Sequence, residues 1–271
     1  MKNSKRVLAV IGVILLLAAF CLPMFFAFGK GEGSRGMFLA ALGVAIFVPV
    51  FAYICMMAVR IFGRKKEKDT GAIRNVVFDM GNVLLDFGWR EYIDSFGFPE
   101  EKKQKIIQAT VMNPVWNERD RGVLTEEEYV DQMTETAPEY TDDIREVMRR
   151  SPECTHVFDY ALSWVRYLHD AGYHLYVLSN YCDHMFQENL KEMPYLSYMD
   201  GVVISYREHL IKPEPEIYQL LLDRYHLKPA ETVYLDDMEK NCEAARALGI
   251  HAICFQDFKQ AAAELEKLGV K

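Results

Sequence analysis

The chain lacks every cysteine pattern that would staple it or hold a soft metal. Its six cysteines, Cys21, Cys55, Cys154, Cys182, Cys242 and Cys254, include no CxxC pair or comparable spacing. That excludes a zinc ribbon and a disulfide framework, and the six are read as free thiols in a reducing compartment. All seven histidines lie after residue 150 and none forms HExxH or another ligand pair, so imidazole metal chemistry has no support either. Basic charge is scarce in the body of the chain, where residues 71–271 carry 21 Lys/Arg against 36 Asp/Glu, a net of −15. With no basic stripe to neutralise a phosphate backbone, nucleic acid is excluded as a partner.

What the chain does have is apolar residues, 51% of 271, enough for a sizeable core and something more. Residues 7–28 form a 22-residue run without a charge. As a helix rising about 1.5 Å per residue it spans about 33 Å, the thickness of a bilayer's hydrocarbon core. A second such run covers 37–58, and the glycine-rich segment 29–36 between them suits a tight loop. The pattern predicts a transmembrane hairpin over 1–62, with Pro23 tolerable inside a membrane helix. A cleaved signal peptide is the rival, since Lys2, Lys5 and Arg6 make a basic leader. No small-x-small cleavage site follows, however, and the second run needs its own explanation. Lys2, Lys5 and Arg6 before the first run, and Arg60, Arg64, Lys65, Lys66 and Lys68 at the end of the second, outnumber Lys30 and Arg35 in the loop. By the positive-inside bias both ends face the cytoplasm.

After a charged linker at 63–73, the β-branched run Val76-Val77-Phe78 delivers Asp79 into a turn at Gly81. It reads as a buried parallel strand whose C-terminal end opens on a ligand crevice. Helical stretches then follow at 90–96, 100–110, 125–136 and 141–150. Thr125 with Glu128 has the form of a capping box, and Thr141 with Asp142 and Asp143 marks another helix start. This all-helical segment, about 89–155, is expected to cap the site at Asp79. From there helices at 157–170, 214–225 and 240–248 alternate with strands at 174–178, 202–205, 232–235 and 251–255, before a C-terminal helix. Such alternation implies an α/β fold with a parallel sheet covered on both faces.

Three strand ends thus carry polar groups, Asp79, Ser179 with Asn180, and Asp236 with Asp237, and Lys212 joins them from a loop. Carboxylates gathered at one sheet edge repel one another unless a cation sits among them, and oxygen-only ligands favour a hard ion such as Mg²⁺. A metal, a lysine and a hydroxyl around one carboxylate suit phosphoryl transfer, with Ser179 holding a phosphoryl oxygen.

Four segments in order, Phe78-Asp79-Met80-Gly81-Asn82-Val83-Leu84, Leu178-Ser179-Asn180, Lys212-Pro213-Glu214-Pro215-Glu216-Ile217-Tyr218 and Leu235-Asp236-Asp237, give residues 74–271 a resemblance to the haloacid dehalogenase-like hydrolases. The Gly81-Asn82 form, Arg121-Gly122 followed by Leu124-Thr125-Glu126, and Val177-Leu178-Ser179-Asn180 are most similar to the subgroup containing α-D-glucose-1-phosphate phosphatases. The resemblance implies a Rossmann-like core with an inserted helical cap and a phosphatase acting on a small phosphorylated metabolite such as a sugar phosphate. In it Asp79 is the nucleophile that becomes an aspartyl-phosphate, and Lys212 and Asn180 meet the phosphate. Asp79, the Gly81 carbonyl, Asp236 and Asp237 hold Mg²⁺. Most phosphatases of the family carry an acidic residue where this chain has Gly81, so the source of general-acid help is in question. Asp86 is read as structural. Trp116, Arg119 and Arg121 are candidates for the substrate entrance, with Arg121 the best placed to meet an anionic or hydroxyl-rich ligand. Two rival readings are a metal-free 2-haloacid dehalogenase, disfavoured by the Asp236-Asp237 pair, and a catalytically weak scaffold at the membrane, disfavoured by Asp79, Lys212 and the same pair.

Overall fold

The computed structural model describes residues 71–271. The expected hairpin at 1–62 and all but the end of the linker at 63–73 lie outside the described residues. Among the described residues no helix is long and apolar enough to cross a membrane.

The chain order is β1 (Asn75–Phe78), β2 (Leu85–Phe87), α1 (Trp89–Asp94), α2 (Glu100–Ala109), α3 (Val115–Arg121), α4 (Glu126–Thr134), α5 (Thr141–Arg149), β3 (Thr155–Val157), α6 (Ala161–Asp170), β4 (His174–Ser179), α7 (Asp183–Asn189), β5 (Gly201–Ile204), α8 (Ser205–Glu208), α9 (Pro215–Arg224), β6 (Thr232–Asp236), α10 (Glu239–Ala247), β7 (His251–Cys254) and α11 (Phe258–Lys267). Five strands form one sheet in the order β5-β4-β1-β6-β7, and every neighbouring pair is parallel. Alternation along each strand divides the core between the two faces. Val76 and Phe78, Leu175 and Val177, and Val233 and Leu235 join the cluster that contains Trp164, Val165 and Ala261 of α6 and α11. Val77, Tyr176, Leu178 and Tyr234 join Ile217, Tyr218, Leu221 and Ala245 of α9 and α10. Strands buried on both faces are why these runs read as continuously apolar.

Between β1 and β4 lies the helical insertion, α1 to α5, on a two-stranded antiparallel ribbon of β2 and β3. Thr125 and Glu128 do form a reciprocal capping box at α4. Four local expectations differ from the structure. The helix expected from residue 157 begins at Ala161, because Thr155–Val157 pairs with β2 instead. Helix α3 was not expected, since its polar sequence after Pro114 has little apolar periodicity. Ser205 opens α8 rather than ending a strand. Thr141 is the first helical residue of α5, not its cap, and its hydroxyl donates back to the Pro138 carbonyl at 2.9 Å.

The insertion is clamped to the core at the end of α3. Gly122 there has φ +71°, and a Cβ on it would lie 2.8 Å from the backbone of Tyr206. Beside it Arg121 forks onto Glu214 at 2.8 and 2.9 Å and donates to the His209 carbonyl.

Candidate active site

Parallel pairing brings the ends of three strands together. Phe78 is in register with Val177 of β4 and Leu235 of β6, so Asp79 and Asp236, which follow directly, and Ser179, one position further along β4, emerge along one sheet edge. The Asp79 amide donates to the Leu235 carbonyl at 2.8 Å. Its carboxylate accepts from the Met80 amide at 2.7 Å, from the Ser179 hydroxyl at 2.7 Å and from the Lys212 ammonium at 2.8 Å.

Lys212 is buried and donates equally to Asp236 at 2.7 Å. Asp236 is fully buried and also accepts from the Tyr234 hydroxyl, the Met238 amide and the Asn241 side chain. Asn180 sets the lysine's backbone, accepting from the Lys212 amide at 2.8 Å and donating to its carbonyl at 3.1 Å. It does not cap α7, whose N-cap is Cys182. The remaining carboxylate, Asp237, accepts from the Asn82 side chain at 2.8 Å, and Asn82 also receives the Phe87 amide. Asn82 has φ +55°, a conformation that asparagine tolerates better than most residues. Its role as a brace between the β1 loop and Asp237 spans 155 residues of chain and has no signature in the sequence.

Burial pushes the Asp79 carboxyl up to about 7, against the pull of Lys212 and with Asp236 repelling it. Burial also works against Asp236, but Lys212 and the hydrogen bonds it accepts hold it below the ordinary carboxylate range. For Lys212 burial favours the neutral amine, yet Asp236 and Asp79 outweigh it and keep the ammonium charged. Desolvation raises Asp237, opposed by the Asn82 hydrogen bond.

Asp79, Asp236 and Asp237 each offer an oxygen within 4.8 Å of the others. Three carboxylates against the one buried ammonium leave the cluster anionic, and the donor set is all oxygen, so it fits a hard divalent cation. Gly81 lines the same cavity as Asp79 and Asp237.

That cavity, about 200 Å³, is also walled by Asn82, Leu85, Phe87, Asn180, Tyr181, and by Trp116 and Asp120 from the insertion. Of the three insertion residues singled out in the sequence, only Trp116 lines it. Arg119 is buried beneath, forked on Glu126 at 2.6 and 2.8 Å and bonded to Ser151. Arg121 is held by Glu214 and does not reach the cavity wall. Asp120, missed in the sequence, does. The available signal was its position four residues after Trp116, which puts both on one face of α3. Asp86 is absent from the wall, consistent with a structural residue on β2.

A sequence profile described as haloacid dehalogenase-like hydrolase matches residues 76–255. A sesquiterpene phosphatase of Aspergillus oryzae is 26% identical over 193 residues, 71% of this chain and 94% of that protein. A D-ribitol-5-phosphate phosphatase of Bacteroides thetaiotaomicron is 26% identical over 198 residues, 65% of this chain and 89% of its own length. The fold is shared with a HAD family enzyme of B. thetaiotaomicron solved in complex with magnesium and inorganic phosphate, at TM-score 0.56 and 24% identity, over 70% of this chain and 98% of that one.

Proposed function

Because the chain belongs to the haloacid dehalogenase-like hydrolases, we propose that it is a Mg²⁺-dependent phosphatase that hydrolyses a small phosphorylated metabolite, a sugar phosphate, through an aspartyl-phosphate on Asp79. The observation that carries this reading is the strand-edge constellation itself: a buried carboxylate held by Lys212 and Ser179 beside two further carboxylates. Relatives that are phosphatases by name support it, one of them acting on a polyol phosphate. The cavity of about 200 Å³ lies below the roughly 300–1,000 Å³ of sites for drug-sized ligands, which favours a small substrate.

In this reading Asp79 attacks phosphorus, and Lys212, fixed by Asp236 and Asn180, places positive charge where the phosphoryl oxygens gather. Ser179 turns its hydroxyl from Asp79 to a phosphoryl oxygen. A divalent cation held by Asp79, Asp236, Asp237 and the Gly81 carbonyl supplies Lewis-acid charge that offsets the repulsion between carboxylate and phosphate. A 2-haloacid dehalogenase needs no metal, so a cluster suited to a cation favours the phosphatase reading.

Magnesium is therefore expected to stabilise the protein. At ten times its Kd the gain is about 1.4 kcal/mol, or about 3–5 °C in melting temperature for a domain of this size. Asp237→Asn should abolish that shift in a thermal melt. An equal shift in the variant would place the cation elsewhere.

Residues 1–62 extend the proposal to a multi-pass membrane anchor, joined by the linker to the hydrolase domain at 74–271 on the cytoplasmic side. The flanking charges support it. In right-side-out vesicles, added protease should leave that domain intact. Its digestion without lysis would refute this orientation.

A further inference from the structure

A phosphate ester of an ordinary alcohol leaves slowly unless its departing oxygen receives a proton. The strand edge supplies none readily. Lys212 is locked between two carboxylates, Asp237 is bonded by Asn82, and Gly81 contributes no side chain, with open space for 4 Å around the position where its Cβ would be. Other titratable groups on the wall are also engaged or too weakly acidic. The Tyr181 hydroxyl lies among Thr155 and Asn189, and burial pushes the Cys182 thiol up to about 12.

The structure assigns this duty to Asp120: we propose that its carboxyl, presented by the insertion across the cavity from the strand edge, is the general acid and then the general base of the reaction proposed above. Three observations carry the assignment. Asp120 lines the cavity together with Asp79. Its backbone is anchored to the core, because the Ser205 hydroxyl donates to the Asp120 carbonyl at 2.5 Å and accepts the amide of Tyr181, two residues after Ser179. The adjoining Arg121–Glu214 fork and the close approach of Gly122 to Tyr206 fix the same turn. Finally, no hydrogen bond holds the carboxyl among the described residues. Desolvation pushes it up to about 7, opposed by Arg119 and Lys212 and assisted by Glu126. It is thus both protonated and ionised in appreciable amounts near neutrality, as a group that must give and take back a proton requires.

As the bond from the Asp79 oxygen to phosphorus forms and the ester P–O bond breaks, the Asp120 proton passes to the departing oxygen and a neutral alcohol leaves. The Asp120 carboxylate then takes a proton from the water that attacks phosphorus. The bond to Asp79 breaks, inorganic phosphate is released, and both carboxyl groups return to their initial states.

The test compares full-length wild type, Asp120→Asn and Asp120→Glu with magnesium on p-nitrophenyl, phenyl and benzyl phosphate, whose leaving groups grow steadily poorer. kcat/KM is the quantity to read because it reports only the steps through alcohol departure. Asp120→Asn should lose about 10²- to 10⁴-fold on benzyl phosphate, under about tenfold on p-nitrophenyl phosphate, and the alkaline limb of the wild-type pH profile. Asp120→Glu should recover part of the loss. Equal losses on all three esters, or a change confined to KM, would overturn the assignment and make Asp120 a substrate-binding group. A wild type inactive on every phosphate ester would instead overturn the phosphatase reading on which the assignment rests.

Discussion

Asp79→Asn is expected to reduce phosphate release by at least about 10⁴-fold, the scale on which loss of a catalytic nucleophile is felt, while the fold survives. The amide keeps the shape of the carboxylate, and its one oxygen can accept either from Lys212 or from Met80 and Ser179, but it cannot form an acyl-phosphate. Lys212 keeps Asp236 as its counter-ion, so no buried ammonium is left unpaired. Stability should move opposite to activity when magnesium is absent. The Asp79 carboxyl ordinarily titrates near 3.8 and in the fold near 7, so the folded wild type holds its proton more tightly. Its contribution is complete below about pH 4 and is lost as the pH rises through 7. The Asn variant has no such loss and should melt at or above wild type at pH 8. A variant that folds and still turns over at the wild-type rate would show that Asp79 is not the nucleophile.

Lys212→Met gives the other large effect, on stability and activity together. The ammonium lies between Asp79 and Asp236 at 2.8 and 2.7 Å with both partners buried. Removing one member of a buried ion pair typically costs about 3–5 kcal/mol, because the charge left behind has neither water nor partner. The lower end is expected here, since Asp79 can take up a proton. Urea melts at pH 8 should therefore show a deficit of about 3 kcal/mol that shrinks toward pH 5, where the orphaned carboxyl is neutral. Phosphatase activity should be lost at either pH. A variant as stable as wild type would mean that the lysine is not the charge that permits these carboxylates to be buried.

Much of this site could be read before the fold was seen, because parallel strands announce themselves twice. The runs Val76–Phe78, 175–178 and 233–235 are continuously apolar, and each ends abruptly in a polar residue. Strands in one parallel sheet carry their C-terminal ends to the same edge, so three such endings imply one site. The gathering of Asp79, Asp236 and Asp237 follows from the same logic. The insertion was less legible. β2 and β3 are three residues each, too short for an alternation to show, and their pairing joins residues about 70 positions apart. In α3 the charges Glu118, Arg119, Asp120 and Arg121 look alike in sequence, although one arginine is buried on Glu126, another is spent on Glu214 and the aspartate faces the cavity. Only tertiary partners separate them. Asn82 is obscured in the same way by its link to Asp237.

The proposed reaction passes phosphorus through Asp79. Its most direct measurement is to quench the full-length protein with acid during turnover of p-nitrophenyl phosphate, reduce any acyl-phosphate with borohydride and map the peptides by mass spectrometry. The expected result is homoserine at position 79, dependent on substrate and more abundant in Asp120→Asn, where the base that completes the reaction is missing. Steady turnover with an unmodified Asp79, or reduction at another carboxylate, would contradict the account.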